Sequence, residues 1–454
     1  MKIIIVGAGQ VGFHIASRLA VEHKDVVVID RNPQAIKRLS DEIDVRGIVG
    51  EGDSPAVLEE AGIKGAESLL AVTDSDDVNL VACLTANMIS PNTRKFARLR
   101  SPDFDNYHES LKNNPPFIEA VINPEIEAVK TIVRLIKVPS AIESGEFVDG
   151  RVKFIGFRLD ENSSMDDVRL YDLKEKLGDI RALVAAIVRD EKLIIPEGKS
   201  RLKSGDLIYL ITDKENLGPA LNAFGKDYKP VKKVMIIGGG ELGKRLAYTL
   251  EDINISTKIV DIDEERCRFL ADTMNKTIVL NGDGSDQSLL LEESIHNMDM
   301  VISLTGDEET NILVSLLAKR MGAGGVITKI LKFSYFSLMP AIGIEKIVSP
   351  RLSAIDSFLQ HIRRGKVLSA VSINGEQAEV MEAVALETSG IVGKPLHKLS
   401  FPKGALIIGI IRDEKIEIPS GESIIYPNDR VIIFSDRKAV LEIEKILSVK
   451  LEYF

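Results

Sequence analysis

Two glycine-rich stretches with the same spacing are the first candidates for chemistry in this chain of 454 residues. A G-x-G-x-x-G motif occupies residues 7–12 and recurs at residues 238–243. Each motif follows an apolar, β-like run and opens a helical pattern, which is the context that the motif requires. An acidic residue lies 23 positions after the first glycine of each motif, Asp30 in one half and Asp261 in the other. The pattern predicts a site for a diphosphate and its ribose.

The residue types of each motif have separable physical roles. The first glycine permits a tight turn, the second lets a diphosphate approach the backbone, and the third lets the helix pack against the strand. The acid can accept hydrogen bonds from ribose hydroxyls and repels a 2′-phosphate, so NAD(H) is favoured over NADP(H). Arg31, beside Asp30, weakens that preference. ATP and ADP carry the same free hydroxyls and stay compatible with either half, and the alternative is that the glycines only form strand–helix turns.

Two further pairs of stretches are predicted to line the same crevice, at the carboxyl ends of the strands. Thr73–Asp74 and Thr305–Gly306 each end an apolar run, where hydroxyl and backbone groups could meet a ribose or a phosphate. The alternative is that they cap the following helix. Arg98 and its repeat partner Lys329 each follow a β-like run. These cations could meet a diphosphate or could be ordinary surface charges.

A catalytic group that would accompany these motifs is not found in the sequence. A dehydrogenase needs an acid or base beside the nicotinamide, most often a histidine. The six histidines are isolated, and none has metal-ligand spacing. The acid pairs Asp76–Asp77 and Glu308–Glu309 follow the third strand of each half, where acids favour a helix start. We therefore expect no catalytic and no metal site, and a chain that binds nucleotide without transforming it.

The elements that must position these residues occur twice along the chain. In the first half, β-like runs at residues 3–6, 26–29 and 69–72 alternate with amphipathic helices, which predicts a doubly wound parallel sheet. A second repeat, with an offset of 223 residues, begins at Ala182 and Ala405 and has the short apolar runs of a small β-rich module. The order is therefore Rossmann-like module, β-rich module, and then both again.

The composition is that of a globular protein and excludes several partners. The net charge is −10 and no block of Lys or Arg dominates a segment, which argues against nucleic acid. The two cysteines are far apart and fit a reducing compartment. No signal peptide and no apolar run long enough to span a bilayer is recognised. We expect a cytoplasmic protein whose link to a membrane runs through a partner.

The duplicated order of motifs resembles the tandem RCK (regulator of K⁺ conductance) arrangement of TrkA-type potassium-uptake proteins over essentially the whole chain. The matching pieces of the first half are GAGQVG, Asp30, GEGD and VTDSDDVN. Those of the second half are GGGELG, Asp261, NGDGSD and LTGDEETN, and GDLIYLI and NDRVIIF match the ends of the RCK C-terminal subdomains.

The resemblance implies a cytosolic regulatory subunit, peripheral on the inner face of the membrane, that docks under a separate TrkH- or TrkG-type potassium transporter. RCK modules pair and assemble into rings, so a homotetramer is expected, with a dimer as the alternative. NAD(H), ATP or ADP would bias the ring between shapes. The site residues carried over for the first half are Gly7, Ala8, Gly9, Gln10, Val11, Asp30, Thr73, Asp74 and Arg98, and those for the second half are Gly238, Gly239, Gly240, Glu241, Leu242, Asp261 and, as a departure from the arginine of the first half, Lys329.

Two other functions stay open beside this one: an NAD-dependent oxidoreductase with an unfamiliar catalytic residue, and a nucleotide-sensing subunit of another cation channel or antiporter. The expected fold class is α/β, with two Rossmann-like domains each followed by a small α+β RCK C-terminal subdomain. The expected segments are 1–121 (RCK N-terminal), 122–139 (connecting helix), 140–225 (RCK C-terminal), 226–231 (linker), 232–347 (second RCK N-terminal), 348–366 (second connecting helix) and 367–454 (second RCK C-terminal).

Overall fold

The computed structural model describes residues 2–362, 367–373, 377–413 and 415–447. The chain forms two compact units, of which the first comprises residues 1–128 and 349–363 and the second residues 129–348 and 364–454. The first unit contains one six-stranded sheet, and the second contains another together with two five-stranded sheets. The ends of the predicted segments 348–366 and 367–454 lie partly outside the described residues.

The first half of the chain begins with a parallel sheet flanked by helices. Its elements are β1 (Lys2–Val6), α1 (Gln10–Val21), β2 (Asp25–Asp30), α2 (Pro33–Glu42), β3 (Arg46–Val49), α3 (Pro55–Glu60), β4 (Ser68–Ala71), α4 (Asp76–Ile89), β5 (Arg94–Arg98), α5 (His108–Asn113), β6 (Ile118–Ile122) and α6 (Pro124–Lys137). The strand order is β3-β2-β1-β4-β5-β6, and every neighbouring pair is parallel. This is the predicted doubly wound arrangement.

The core of this sheet explains its sequence. Strand β1 is buried at Ile3, Ile4 and Ile5, as expected for a parallel strand with helices on both faces. Helix α1 buries one stripe of residues four apart, and these are Val11, Ile15 and Leu19.

A small antiparallel subdomain follows. Its elements are β7 (Glu143–Phe147), β8 (Val152–Arg158), α7 (Leu170–Leu177), β9 (Ala182–Arg189), β10 (Lys192–Ile194), β11 (Leu207–Asp213) and α8 (Leu217–Ala223). The strand order is β10-β9-β11-β8-β7. Arg189, at the end of β9, forms an ion pair with Asp206, the residue before the neighbouring strand β11, with 2.7 Å between Nη2 and Oδ2.

The second half repeats the parallel sheet. Its elements are β12 (Lys233–Ile237), α9 (Glu241–Asp252), β13 (Ser256–Asp261), α10 (Glu264–Thr273), β14 (Ile278–Asn281), α11 (Gln287–Glu292), β15 (Met300–Ser303), α12 (Glu308–Arg320), β16 (Val326–Lys329), α13 (Phe333–Phe336), β17 (Ile347–Val348) and α14 (Pro350–Ile362). The order β14-β13-β12-β15-β16-β17 matches that of the first sheet strand for strand. Both predicted Rossmann-like sheets are therefore confirmed.

The final subdomain repeats the antiparallel sheet. Its elements are β18 (Val367–Ile373), β19 (Ala378–Val384), β20 (Ala405–Arg412), β21 (Lys415–Glu417), β22 (Arg430–Asp436) and α15 (Val440–Leu447). Arg412 and Asp429 form the ion pair equivalent to the one in the first subdomain, at 2.8 Å. Within the second unit the two antiparallel sheets share a core that includes Phe154, Tyr209 and Phe434.

The described residues also form short 3₁₀ turns, and these are Ile63–Gly65, Pro102–Phe104, Ile295–Asn297, Pro340–Ile342 and Leu396–Lys398.

The two helices that connect the modules do not stay with the sheets that precede them. Helix α14 follows the second parallel sheet along the chain, but it packs within the first unit, against α1. Arg18 of α1 and Asp356 of α14 form an ion pair there at 2.9 Å. Most of α6, from Val129 onward, belongs to the second unit.

In the part of the chain that the structure describes, no helix has both the length and the apolarity to cross a membrane.

Candidate functional site

The glycine loop of the first half leaves a space in front of α1. Gly7 has a φ of +110°, which disfavours any other residue, and a Cβ at Gly12 would collide with the carbonyl oxygen of Gly7. Gly9 differs from both: its φ is −67° and a Cβ added there would meet no atom within 4 Å. The fold therefore requires Gly7 and Gly12, whereas Gly9 leaves open the space at the helix N-terminus where a diphosphate could lie.

The loop of the second half has the same geometry. Gly238 has a φ of +109°, and a Cβ at Gly243 would collide with the carbonyl oxygen of Gly238. Gly240 has a φ of −62°, and a Cβ added there would meet nothing within 4 Å. Each half thus has an open cradle at the start of its helix, which a side chain at Gly9 or Gly240 would fill.

Asp30 lies at the end of β2, beside this cradle. Its Oδ2 accepts a hydrogen bond from the backbone N–H of Ala8 at 2.7 Å, and its Oδ1 accepts one from Asn32 at 2.8 Å. A carboxylate offers about four acceptor positions. Asp30 therefore has capacity left for the two hydroxyls of a ribose, as its sequence position predicts.

Asp261 occupies the equivalent place at the end of β13, but more of its capacity is used. Its Oδ2 accepts from the N–H of Gly239 at 2.6 Å and its Oδ1 from Asp263 at 2.9 Å. In addition, Nη1 of Arg266 lies 3.1 Å from Oδ1 and 3.0 Å from Oδ2. The equivalent of Arg266 in the first half is Ala35, so this ion pair has no counterpart there.

Thr73 and Thr305 are held by a buried asparagine rather than capping the next helix. The N–H of Thr73 donates to Oδ1 of Asn79 at 2.9 Å, and the threonine hydroxyl lies 2.8 Å from the same oxygen. Asn311 holds Thr305 in the same way, at 2.8 Å for both contacts. Helices α4 and α12 are capped instead by Ser75 and Asp307, each of which lies two residues after the threonine. Both threonines thus lie in a fixed turn beside the glycine loop.

Arg98 and Lys329, at the ends of β5 and β16, are placed alike but bonded differently. The Arg98 guanidinium is only 10% exposed, and its Nη1 lies 3.1 Å from Oδ1 of Asp74, which is 92% exposed. Burial lowers the pKa of Arg98 and Asp74 opposes that shift. Its Nε has no hydrogen-bond partner among the described residues. Lys329 instead donates from Nζ to the carbonyl oxygen of Thr305 at 2.9 Å.

The remaining predicted residues form the first turns of two helices. Gln10 is exposed and Val11 buried at the start of α1, and Ala8 is buried in the loop. In the second half Leu242 is buried, whereas Glu241 forms ion pairs with Lys244 and Arg245 at 2.8 and 2.7 Å. These helix starts can offer backbone N–H groups to an anion. All predicted residues of each half therefore lie around one loop.

The acid pairs considered as catalytic alternatives include one structural member in each half. Asp76 accepts hydrogen bonds from the N–H groups of Arg100 and Ser101, at 2.9 and 2.8 Å. Glu308 accepts from Leu331 and Lys332 at 2.9 and 3.0 Å. These carboxylates hold the loops that follow β5 and β16. Among the residues that the structure describes, no group of three His, Cys, Asp or Glu side chains is arranged to hold a metal ion.

Two kinds of residue at the site were not identified from the sequence. Asn79 and Asn311 end the repeated stretches TDSDDVN and TGDEETN, so their repetition was an available signal. Arg266 had no such signal, because it occurs in one half only and its contact depends on how the side chain is oriented.

The fold and its two glycine loops define a class, namely tandem Rossmann-like modules with paired nucleotide-type cradles. The TrkA-N domain family matches residues 3–124 and 234–350, and the TrkA-C domain family matches residues 154–225 and 380–448. The chain therefore belongs to the TrkA family, as the resemblance predicted.

Relatives match the chain over its full length. The Trk system potassium uptake protein TrkA of Azorhizobium caulinodans is 35% identical, with 100% of both chains covered. The TrkA homolog 1 of Methanosarcina mazei is 36% identical over 98% of this chain and 99% of the relative. The crystal structure of the GsuK RCK domain shares the fold, at 18% identity and a TM-score of 0.58, covering 98% of this chain and 94% of that one. The GsuK channel bound to NAD gives a TM-score of 0.58 with 78% of its chain covered.

Proposed function

We propose that this chain is the cytosolic, non-enzymatic regulatory subunit of a Trk-type potassium uptake system. It binds NAD(H), ATP or ADP and controls a separate TrkH- or TrkG-type membrane subunit. The observation that carries the proposal is the duplicated cradle, open above Gly9 and Gly240 and flanked by an acid, in a chain that is related to TrkA proteins over its whole length.

Several features of the cradle support an adenine nucleotide as its occupant. The N-terminus of α1 can face a diphosphate, and Asp30 has acceptor capacity for a ribose. Arg98 retains an unused donor in a buried guanidinium close to the loop. A fold neighbour, the GsuK channel, is described bound to NAD. We assign the site of the first half to residues 7–11, Asp30, Thr73, Asp74 and Arg98, and the site of the second half to residues 238–242, Asp261 and Lys329.

Control of the membrane subunit requires that nucleotide binding change the shape of an assembly. We propose that the chain forms a ring of RCK modules, as a homotetramer, on the inner face of the membrane. A nucleotide can shift such a ring only if it binds one shape more tightly than another. The proposed domain boundaries are those stated from the sequence.

Reconstitution with a membrane subunit tests this function. The purified chain is titrated with NADH, NAD⁺, ATP and ADP by calorimetry, and potassium flux is measured in vesicles that hold a TrkH-type subunit. In the double variant Gly9→Leu with Gly240→Leu, side chains fill both cradles and we expect binding and the flux response to be lost. Gly65→Leu is the matched control, because a Cβ there also meets nothing within 4 Å but lies outside the cradle.

Three results would contradict the proposal. Full nucleotide affinity in the double variant would show that the cradles are not the binding sites. Turnover of a substrate with NADH would favour the oxidoreductase instead, and co-purification with a different membrane protein would favour another channel or antiporter.

A further inference from the structure

The two halves differ in the contacts of the carboxylate that ends the second strand of each parallel sheet. Asp261 has four hydrogen-bonding contacts from two backbone N–H groups and from Nη1 of Arg266, which contacts both oxygens. Its side chain is only 5% exposed, whereas that of Arg266 is 44% exposed. Because a carboxylate offers about four acceptor positions, Asp261 has none left for a ribose hydroxyl.

Asp30 has the same backbone contacts without the arginine. The N–H groups of Ala8 and Asn32 use one position on each oxygen. Position 35, which corresponds to 266, is an alanine, whose side chain has no donor. Two acceptor positions on Asp30 therefore remain for the two hydroxyls of a ribose.

The ion pair in the second half is hard for a ribose to displace. In the contact between the Arg266 guanidinium and the Asp261 carboxylate both partners are charged, whereas a ribose hydroxyl is a neutral donor. A ribose would have to replace Arg266 with weaker donors. The cradle above Gly240 is nevertheless open, so the diphosphate can still be held by the helix N-terminus.

We propose that Arg266 is a specificity-determining residue that occupies the ribose acceptor of the second half. The first half then selects nucleoside diphosphates by their ribose hydroxyls, and the second half binds them through the diphosphate alone. This inference rests on the proposed function, since it takes both cradles to be nucleotide sites. Its chemical consequence is that loss of the ribose 2′-hydroxyl weakens binding in one half only.

Paired titrations of the full chain with ADP and 2′-deoxy-ADP test this. Gly240→Leu blocks the second cradle and reports the first half, while Gly9→Leu reports the second. We expect 2′-deoxy-ADP to bind about tenfold more weakly than ADP in the first half, since one hydrogen bond to a charged group is lost. In the second half we expect a difference below about threefold, because no such bond is made.

Exchanging the residues at positions 35 and 266 should exchange the behaviour of the two halves. In the Gly9→Leu background, Arg266→Ala should create discrimination of about tenfold against 2′-deoxy-ADP. In the Gly240→Leu background, Ala35→Arg should abolish it. Arg268→Ala is the matched control, because Arg268 lies on the same helix, is 70% exposed and pairs with Glu264. It should change neither half.

The outcomes separate this inference from the function on which it rests. If the second half discriminates as strongly as the first in the unmodified pair, or if Arg266→Ala creates no discrimination there, the inference is overturned while the nucleotide sites stand. If no chain with an intact first cradle binds ADP, NADH or ATP, the proposed function fails and the inference fails with it.

Discussion

At the scale of single residues, Arg98 is a nearly buried cation whose Nε has no hydrogen-bond partner among the described residues. Its side chain is nearly buried, yet it forms its ion pair with Asp74, a side chain that is almost fully exposed. A buried charge with an incomplete set of hydrogen bonds costs stability. Loss of this charge should therefore cost the fold little, and the proposed nucleotide would give a reason for its presence.

Replacing Arg98 by leucine should separate binding from stability. We expect nucleotide affinity in the first half to fall about tenfold or more, because a charge-assisted contact to phosphate is removed. We expect the free energy of unfolding to stay within about 1 kcal/mol of the parent or to rise, because a buried charge is replaced by an apolar group. Calorimetry and chemical denaturation measure the two effects. A loss of several kcal/mol in stability would show that Arg98 is structural.

At the scale of elements, a buried asparagine joins the ends of two strands to the next helix. Asn79, in α4, accepts from the backbone of Thr73 and donates to the carbonyl oxygens of Thr73 and Arg98, the latter at 2.8 Å. Asn311 makes the same three kinds of contact in the second half. The asparagine therefore fixes the turn after β4 relative to the end of β5.

Asn79→Ala should destabilise the first unit by about 2–4 kcal/mol, because it leaves several buried backbone groups without partners. Asn311→Ala should have the same effect on the second unit, since the contacts are equivalent. Chemical denaturation of each variant measures the loss. Asn222→Ala is a suitable control, because Asn222 is exposed near the end of α8 and lies far along the chain from both turns. A loss below about 0.5 kcal/mol in both asparagine variants would contradict this role.

The elements were more predictable from the sequence than the contacts between them. The apolar run of β1 and the buried stripe of α1 follow local periodicities, and the acid that ends β2 lies at a fixed spacing from the glycines. These patterns could be read from the sequence because each concerns residues of one parallel-sheet module. The pairing of Arg266 with Asp261 depends on a rotamer, and no periodicity encodes it. The placement of α14 against α1 depends on which apolar stripe is available in three dimensions, so the sequence could locate the helix but not its partner.

At the scale of the whole molecule, one connecting helix, α14, lies in the unit that the first half of the chain begins. Helix α14 packs within the first unit, with Ala354, Phe358 and Ile362 buried, although it follows the second parallel sheet in the chain. Helix α6 carries the matching stripe, including Ile132 and Ile136, and lies mostly in the second unit. The first unit thus includes a helix that the second half of the chain supplies.

A fragment of residues 1–225 should therefore dimerise, because it lacks α14 and a second copy can supply α6 in its place. Position 356 corresponds to Lys130 in α6, so Lys130 would face Arg18 where the full chain has an ion pair with Asp356. Lys130→Asp should restore that pair and tighten the dimer several-fold, whereas Ile132→Asp should disrupt it by placing a charge in the buried stripe. Sedimentation equilibrium measures the dimer affinity of the parent fragment and of the two variants. A stable, folded monomer at all concentrations would show that the first unit does not need an exchanged helix.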